Sequence, residues 1–436
     1  MAVNAARPEA DARRIDRPLP PLEAGTVLVM VGLPARGKTF MARKLARYLS
    51  WLGYATAVFN VGNYRRATFG AEVPASFFDP ANPDGVAARR KVAMTALDDV
   101  LAFHRERGGQ ISIYDATNST RARRELVREQ FERAGLRVLF IESICEDPAV
   151  IEANIRATKL RAPDYANMEA DEAVADFRAR IANYERAYEP IDDPDLSYVK
   201  IIDVGRQLVL NRIAGYVPGR VVNLLMNLHV LSRPIWLTRH GQSLANVSGV
   251  LGGDEPLSAE GREYAHRLGG WLTEELAERD EDGIVVWTST LTRTIETARA
   301  LGRQSLAMKA LDEIDAGVCD GMTYAEVERK MPEEYAARAA DKLGYRYPQG
   351  ESYEDVIRRL DPVLIELERQ REPVLVVAHQ AVLRALFGYF TGAEREAVPH
   401  LRIPLHAVLE LIPRAYGCEV RTHRLGPSVA STDSSS

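Results

Sequence analysis

The sequence predicts two α/β domains in tandem, each a mostly parallel sheet covered by helices on both faces. Three observations predict this. The chain has 436 residues, too many for one compact core. Short apolar, β-branched runs alternate with helix-length stretches, the pattern of strand–helix–strand units. The alternation then stops near residue 230 and restarts, with no internal repeat, so the halves are different folds.

Taken in order, residues 1–24 are rich in Ala, Arg and Pro and read as a loose arm. TVLVMVG (26–32) reads as a buried strand and TFMARKLARYLSWLG (39–53) as a helix ending on glycine. ATAVFNVG (55–62), ISIYDA (111–116), RVLFIES (137–143) and VKIIDV (199–204) read as further strands. The segment 215–230 reads as a helical connector, and the boundary is placed near Leu231, giving domains 25–230 and 231–427. In the second half PIWLTR (234–239), GIVVWTS (283–289) and PVLVVAH (373–379) read as strands and GREYAHRLGGWLTEEL (261–276) as a helix. The Ser-rich stretch 428–436 reads as a frayed tail.

Apolar residues make up 46% and charged residues 27%, the balance of a globular protein. A net charge of −5 with both signs abundant gives no global field for nucleic acid, so anion binding must come from local clusters. No apolar run is long enough for a membrane span and no signal core is apparent near the start. Cys145, Cys319 and Cys418 match no zinc or disulfide spacing and suit reduced thiols in the cytoplasm.

Gly32-Leu33-Pro34-Ala35-Arg36-Gly37-Lys38-Thr39 satisfies G-x-x-x-x-G-K-[ST] between a predicted strand and a predicted helix. The glycines let backbone N–H groups turn inward around phosphate oxygens, Lys38 can reach the terminal phosphates and Thr39 can ligate Mg²⁺. The bland alternative is a glycine-rich turn, which this strand–loop–helix context disfavours. Such a loop needs a carboxylate at the end of a neighbouring strand. Asp115 ends ISIYDA and can serve; the lesser alternative is a cap for the helix beginning near Arg121. Arginines crowd this half at 65, 66, 89, 90, 121, 123, 124 and 180. Singly most suit a solvated helix face, but several fall in loops after predicted strands, which favours a phosphorylated small acceptor over a neutral one.

In the second half Leu237-Thr238-Arg239-His240-Gly241 follows a strand. A histidine there, with an arginine before it and a glycine after, suits in-line attack on a phosphoryl group. Alone the tripeptide is weak, since a structural histidine is as common. Its partners sharpen it: Arg293 follows a second strand, His379 ends a third, and the pair Asp312-Glu313 in LDEIDAG can supply the general acid. Carboxylates at metal-ligand spacing beside these histidines are missing, against a metalloenzyme. Two His, two Arg and an acid so placed resemble the histidine phosphatase (phosphoglycerate-mutase-like) superfamily.

The ordered set GLPARGKT (32–39), FNVGNYRR (59–66), FFDPAN (77–82), YDATNSTRARR (114–124), FIESICEDP (140–148), PDY (163–165), LTRHGQS (237–243), DEIDAG (312–317), YRYPQGESYED (345–355) and AHQAVLR (378–384) resembles the 6-phosphofructo-2-kinase/fructose-2,6-bisphosphatase family from about Gly25 to Gly417. The resemblance implies a P-loop kinase domain followed by a histidine phosphatase domain. The kinase would use ATP and Mg²⁺ on residues 32–39, with Thr39 and Asp115 at the metal and Lys159 closing over the nucleotide. Asp115 matches the catalytic aspartate, and Cys145 matches a cysteine better taken as a lining residue than as an acid. Fructose 6-phosphate would be held by Arg65, Arg89, Thr117, Arg123, Arg180 and Tyr184. For the phosphatase, His240 matches the nucleophile and Glu313 the acid and base. Arg239, Asn246, Arg293 and His379 match the phosphate pocket. Gly252, Tyr324, Arg338, Lys342, Tyr353, Gln380 and Arg384 match the set that grips fructose 2,6-bisphosphate, with Arg338 and Lys342 on one face if that segment is helical. The resemblance further implies a homodimer.

Two positions and one segment, the slightly altered DKLGYRYP (341–348), depart from the family pattern. Asn63 stands where Glu or Gln is usual, and Gln242 replaces the Glu of RHGES, removing a charge beside the nucleophile. No Ser, Thr or Tyr precedes Thr26, so phosphorylation control from that end is unsupported. Two rivals stay open on sequence alone. One is a fused kinase and phosphatase acting on nucleic-acid ends, disfavoured by the acidic charge. The other is a scaffold with one degenerate half, disfavoured because Lys38, Thr39, Asp115, His240, Glu313 and His379 are all present.

Overall fold

The structure is a computed structural model and describes residues 24–156, 163–165, 168–229, 231–281, 283–414 and 417–426. Six strands form the first sheet: β1 (Thr26–Val31), β2 (Thr56–Asn60), β3 (Ile111–Asp115), β4 (Arg137–Ile144), β5 (Tyr198–Ile202) and β6 (Gln207–Asn211). Their order is β2-β3-β1-β4-β5-β6, parallel except for β6, which pairs antiparallel with β5. Every residue of β1 is buried, as expected of a central strand covered on both faces. The helix Lys38–Leu52 leaves the end of β1 and stops at Gly53, whose φ of 105° closes the cap. Helices Pro83–Glu106 and Arg121–Arg133 start on Asn82 and Thr120, whose side chains accept from Gly85 N and Arg123 N. Thr120, not Asp115, is thus the cap of the second helix, which leaves the Asp115 carboxylate to the strand end.

The second sheet holds β7 (Ile235–Arg239), β8 (Val285–Thr288), β9 (Leu306–Ala307), β10 (Val374–Ala378), β11 (Ala407–Arg414) and β12 (Gly417–Arg424). Its order is β12-β11-β7-β10-β8-β9, with β7 to β10 parallel and β11 antiparallel to both neighbours. β6, β9, β11 and β12 have no counterpart among the strands expected from sequence. The expected strand 55–62 ends earlier, because Asn60 caps a helix that starts at Val61. The connector is a helix, Tyr216–Asn227.

The two sheets share one apolar cluster. It runs from Leu28, Leu45 and Leu49 through Val221 and Leu224 to Leu360, Leu364 and Leu386, all buried. Polar contacts cross the same junction. Lys44 Nζ donates to both oxygens of Glu368 at 2.7 and 2.9 Å. Tyr48 OH donates to Asp361 at 2.6 Å, and Trp51 Nε1 to the Ala385 carbonyl at 2.9 Å. All three donors lie on the helix that follows the phosphate loop, so the second domain packs directly against it.

Candidate active sites

The first site is built where β1, β2 and β3 end side by side. The loop 32–39 turns through positive φ at Gly32, Ala35 and Gly37. At Gly32 a Cβ would collide with the Ser143 carbonyl oxygen of β4, so only glycine fits against the neighbouring strand. The loop opens into the N-terminus of the helix Lys38–Leu52, where unpaired N–H groups and the helix dipole favour an anion. Lys38 Nζ donates to the Leu33 carbonyl at 2.6 Å, folded back within the loop. Thr39 Oγ1 donates to Asp115 Oδ2 at 2.8 Å, and Asn60 Nδ2 reaches the same oxygen. Hard oxygen donors on Thr39 and Asp115 therefore stand together at the phosphate loop, the donor set that Mg²⁺ accepts while keeping most of its waters.

One cleft of about 1530 Å³ joins these groups to Arg65, Arg89, Thr117, Arg123, Arg180 and Tyr184. The expectation that several of the arginines sit in loops is wrong: all eight lie on helices. Successive helix positions point about 100° apart, so the run 121–124 splits. Arg123 lines the cleft and lies 3.4 Å from Tyr114 OH. Arg124 instead donates to the carbonyls of Asn118, Glu189 and Pro190, and Arg121 pairs with Asp192. Both of these are structural. Arg65 pairs with Asp164, which also holds Arg66 at 3.0 Å, and Arg180 donates to Asp176 at 2.8 Å and Val73 O at 3.0 Å. Cys145 lines the cleft, and burial pushes its thiol pKa up. Lys159 lies outside the described residues. Asn154, Leu225 and Leu228 also line the cleft and carried no motif in the sequence, and Asn60, within FNVGNYRR, lines it without having been given a role.

The second site lies where β7, β10 and β8 end. His240 and Arg239 are 3% and 4% exposed, below the reach of bulk water. His240 Nδ1 lies 2.7 Å from the Gly241 carbonyl, which can only accept, so that nitrogen carries the proton. Nε2 then keeps its lone pair, and Arg293 Nε approaches it at 3.2 Å. Burial, then the charges of Arg293 and Arg239, hold the His240 pKa well below the usual histidine value. His379 lies with its ring centroid 5.0 Å from that of His240, and its Nε2 is 2.8 Å from Ser289 Oγ. Burial and the Arg293 charge depress its pKa likewise.

Glu313 spans the N-terminus of the helix Gln380–Thr391, accepting from the amides of Gln380 at 3.0 Å and Ala381 at 3.1 Å. Arg293 also donates to the Gly253 carbonyl at 2.7 Å, tying in the loop that holds Gly252. Gly252 has φ of 70°, and a Cβ there would meet Asp320. Asn246 Oδ1 accepts from Ser243 N at 3.0 Å in a capping box. Arg338 donates to Tyr324 OH and Tyr347 OH, both at 2.8 Å, and Arg384 donates to Tyr353 OH at 3.0 Å. The expected shared face of Arg338 and Lys342 fails, because the helix Pro332–Ala340 ends first and Lys342 stands in the following turn. At the departure positions, Gln242 Oε1 accepts from Ser258 Oγ at 2.7 Å, and Asn63 Oδ1 accepts from Arg66 at 2.6 Å. His406, which no motif announced, accepts the Gln242 amide at 3.2 Å and stacks on Tyr264 at 4.7 Å.

The family described as 6-phosphofructo-2-kinase matches residues 21–232, and the histidine phosphatase superfamily (branch 1) matches residues 235–425. The chain is 50% identical over 404 residues to the 6-phosphofructo-2-kinase/fructose-2,6-bisphosphatase of Arabidopsis thaliana, covering 91% of this chain and 54% of that one. It is 49% identical over 410 residues to 6-phosphofructo-2-kinase/fructose-2,6-bisphosphatase 4 of Homo sapiens, covering 93% of this chain and 86% of that one. Against the human form 3 the identity is 47% over 401 residues, with 91% and 76% covered. The chain thus spans about half the length of the plant relative and most of the length of the human ones.

Proposed function

Because the chain belongs to the 6-phosphofructo-2-kinase/fructose-2,6-bisphosphatase family, we propose that it makes fructose 2,6-bisphosphate in its first domain (25–230) and hydrolyses it in its second (231–427). The observation that supports this is two separate clusters on one chain whose groups suit phosphoryl transfer: Lys38, Thr39 and Asp115 in one, His240, Arg293, Glu313 and His379 in the other.

In the kinase, residues 32–39 cradle the phosphates of ATP while Lys38 swings from the Leu33 carbonyl to the transferring group. Bound between Thr39 and Asp115, Mg²⁺ would neutralise charge on the phosphate oxygens. Arg65, Arg89, Arg123 and Arg180 hold the 6-phosphate of fructose 6-phosphate, and Asp115 accepts the proton of the 2-hydroxyl. Positioning and charge neutralisation do most of the work.

In the phosphatase, His240 Nε2 attacks the 2-phosphate, whose oxygens face Arg239, Arg293, Asn246 and His379. The P–O bond breaks and Glu313 gives its proton to the sugar oxygen. Water then attacks the phosphohistidine, with the Glu313 carboxylate taking its proton and restoring the starting state. Tyr324, Arg338, Tyr353, Gln380 and Arg384, with Lys342 from its turn, grip the rest of the bisphosphate. The same reading takes the protein to be a cytoplasmic homodimer. Among the described residues no helix is long and apolar enough to cross a membrane.

Lys38→Met should abolish ATP-dependent phosphorylation of fructose 6-phosphate and spare hydrolysis of fructose 2,6-bisphosphate; His240→Ala should do the reverse. Turnover of an oligonucleotide 5′ end in preference to the sugar, or loss of both activities from either change, would refute this function.

A further inference from the structure

Glu313 sits in a stretch, 312–316, with no regular secondary structure. Backbone carbonyls there have no ladder to satisfy them, and a side chain on an irregular loop is held only as well as its backbone is. The Asp315 and Ala316 carbonyls accept from the Glu351 and Cys319 amides, both at 2.9 Å, and one side chain supplies partners around Glu313 itself. Arg359, on the helix Tyr353–Arg369, donates from Nη1 to the Ala310 carbonyl at 2.5 Å. Its Nη2 donates to the carbonyls of Asp312 at 2.7 Å and Glu313 at 3.2 Å. Its Nε donates to Glu351 Oε1 at 2.8 Å, and Glu351 Oε2 accepts from the Asp315 amide at 3.1 Å. The guanidinium fork therefore grips the acid-bearing loop before, at and, through Glu351, after Glu313. Since the Glu313 carbonyl faces Arg359, its carboxylate is presented on the other side, to the amides of Gln380 and Ala381 at the end of β10. Arg359 makes no contact with the reacting groups themselves in the hydrogen bonds described.

We propose that Arg359 is a positioning residue of the phosphatase, holding the 310–315 loop so that Glu313 meets the leaving oxygen. The inference rests on Glu313 being the acid of the proposed hydrolysis. In the first step the His240 Nε2–P bond forms, the P–O bond to the sugar breaks, and the proton moves from Glu313 to that oxygen. A sugar alkoxide leaves poorly without the proton, whereas p-nitrophenolate leaves readily without one. A misplaced acid therefore slows phosphorylation of His240 by the first substrate and spares it with the second. A general fault in folding or in the phosphate pocket slows both alike.

The test is the pre-steady-state burst of His240 phosphorylation with fructose 2,6-bisphosphate and with p-nitrophenyl phosphate. It compares the full chain with Arg359→Gln, Arg359→Lys and Glu313→Gln. Arg359→Gln should slow the burst with the sugar bisphosphate by roughly 10–100-fold and with the aryl phosphate by less than about 3-fold, a part of the range that general acids supply. Arg359→Lys, which keeps the charge but not the fork, should fall between. Fructose 6-phosphate kinase turnover in each preparation reports that the chain is folded. Glu313→Gln should show the same split more strongly. A split in Glu313→Gln with equal slowing, or none, in the Arg359 variants would overturn the role of Arg359 alone. No split in Glu313→Gln would overturn the assignment of Glu313, and the inference with it.

Discussion

His240 can attack only as a neutral ring, and burial, then Arg293 and Arg239, and last His406 favour that form. The rate at limiting substrate should therefore hold its His240-dependent value to pH well below 6.5, with the acid limb lower than an exposed histidine would give. The same shifts set a sign for stability. His240 and His379 are depressed, and His406 is lowered to about 4 by burial and then Arg267 and Arg239. Between those values and about 6.5 the unfolded chain binds more protons than the folded one, so stability falls as pH drops through that window. Thermal unfolding at pH 5 should come several degrees below that at pH 7.5; a rise would contradict the burial of neutral rings. Gln242 lies two residues after the nucleophile, uncharged and bonded to Ser258. Gln242→Glu restores a negative charge that favours imidazolium, so the acid limb of phosphatase kcat/KM should move up in pH, while kinase activity stays put. A downward move would show that the position does not couple to the ring.

At the scale of elements, the helix Lys38–Leu52 begins at the phosphate loop and ends against the second domain. Its Lys44 and Glu368 are 6% and 2% exposed, with Tyr389 OH donating to the same carboxylate at 2.7 Å. Leaving one buried charge without its partner costs about 3–5 kcal/mol, whereas replacing both with apolar groups is often neutral. Lys44→Met should therefore lower unfolding stability by that amount, and Lys44→Met with Glu368→Leu should recover most of it. An additive loss in the double variant would remove the pair as a coupled unit. What was legible in the sequence follows the range of the interactions. The phosphate loop and Asp115 could be read because motif, strand and helix lie within a few residues of one another, and β1 and β10 because central parallel strands are near-continuously apolar. β12 carries Glu419, Arg421 and His423 on an edge, β6 is a five-residue edge strand, and Pro413 and the buried Glu410 disguise β11. Arg359 was passed over because the carbonyls it holds lie 46 to 49 residues away, and Asp164 was read only as part of PDY because its partners Arg65 and Arg66 lie 99 and 98 residues away. The arginine cluster was found but not sorted, since which of Arg121, Arg123 and Arg124 enters the cleft depends on helix phase.

For the whole molecule, the shared apolar cluster makes the two domains one packed body rather than two beads on a linker. Unfolding should therefore be a single cooperative transition, with calorimetric and van't Hoff enthalpies agreeing; two resolved transitions would separate the domains. The account's central claim is that one phosphoryl group enters at Asp115 and leaves through His240. Its most direct test follows label from γ-³²P-ATP supplied with fructose 6-phosphate. The intact chain should pass the label to fructose 2,6-bisphosphate, then to a histidine, then to inorganic phosphate. His240→Ala should stop at the bisphosphate with no labelled protein. Labelled phosphate released by His240→Ala at the normal rate, or released from ATP without the sugar, would contradict it.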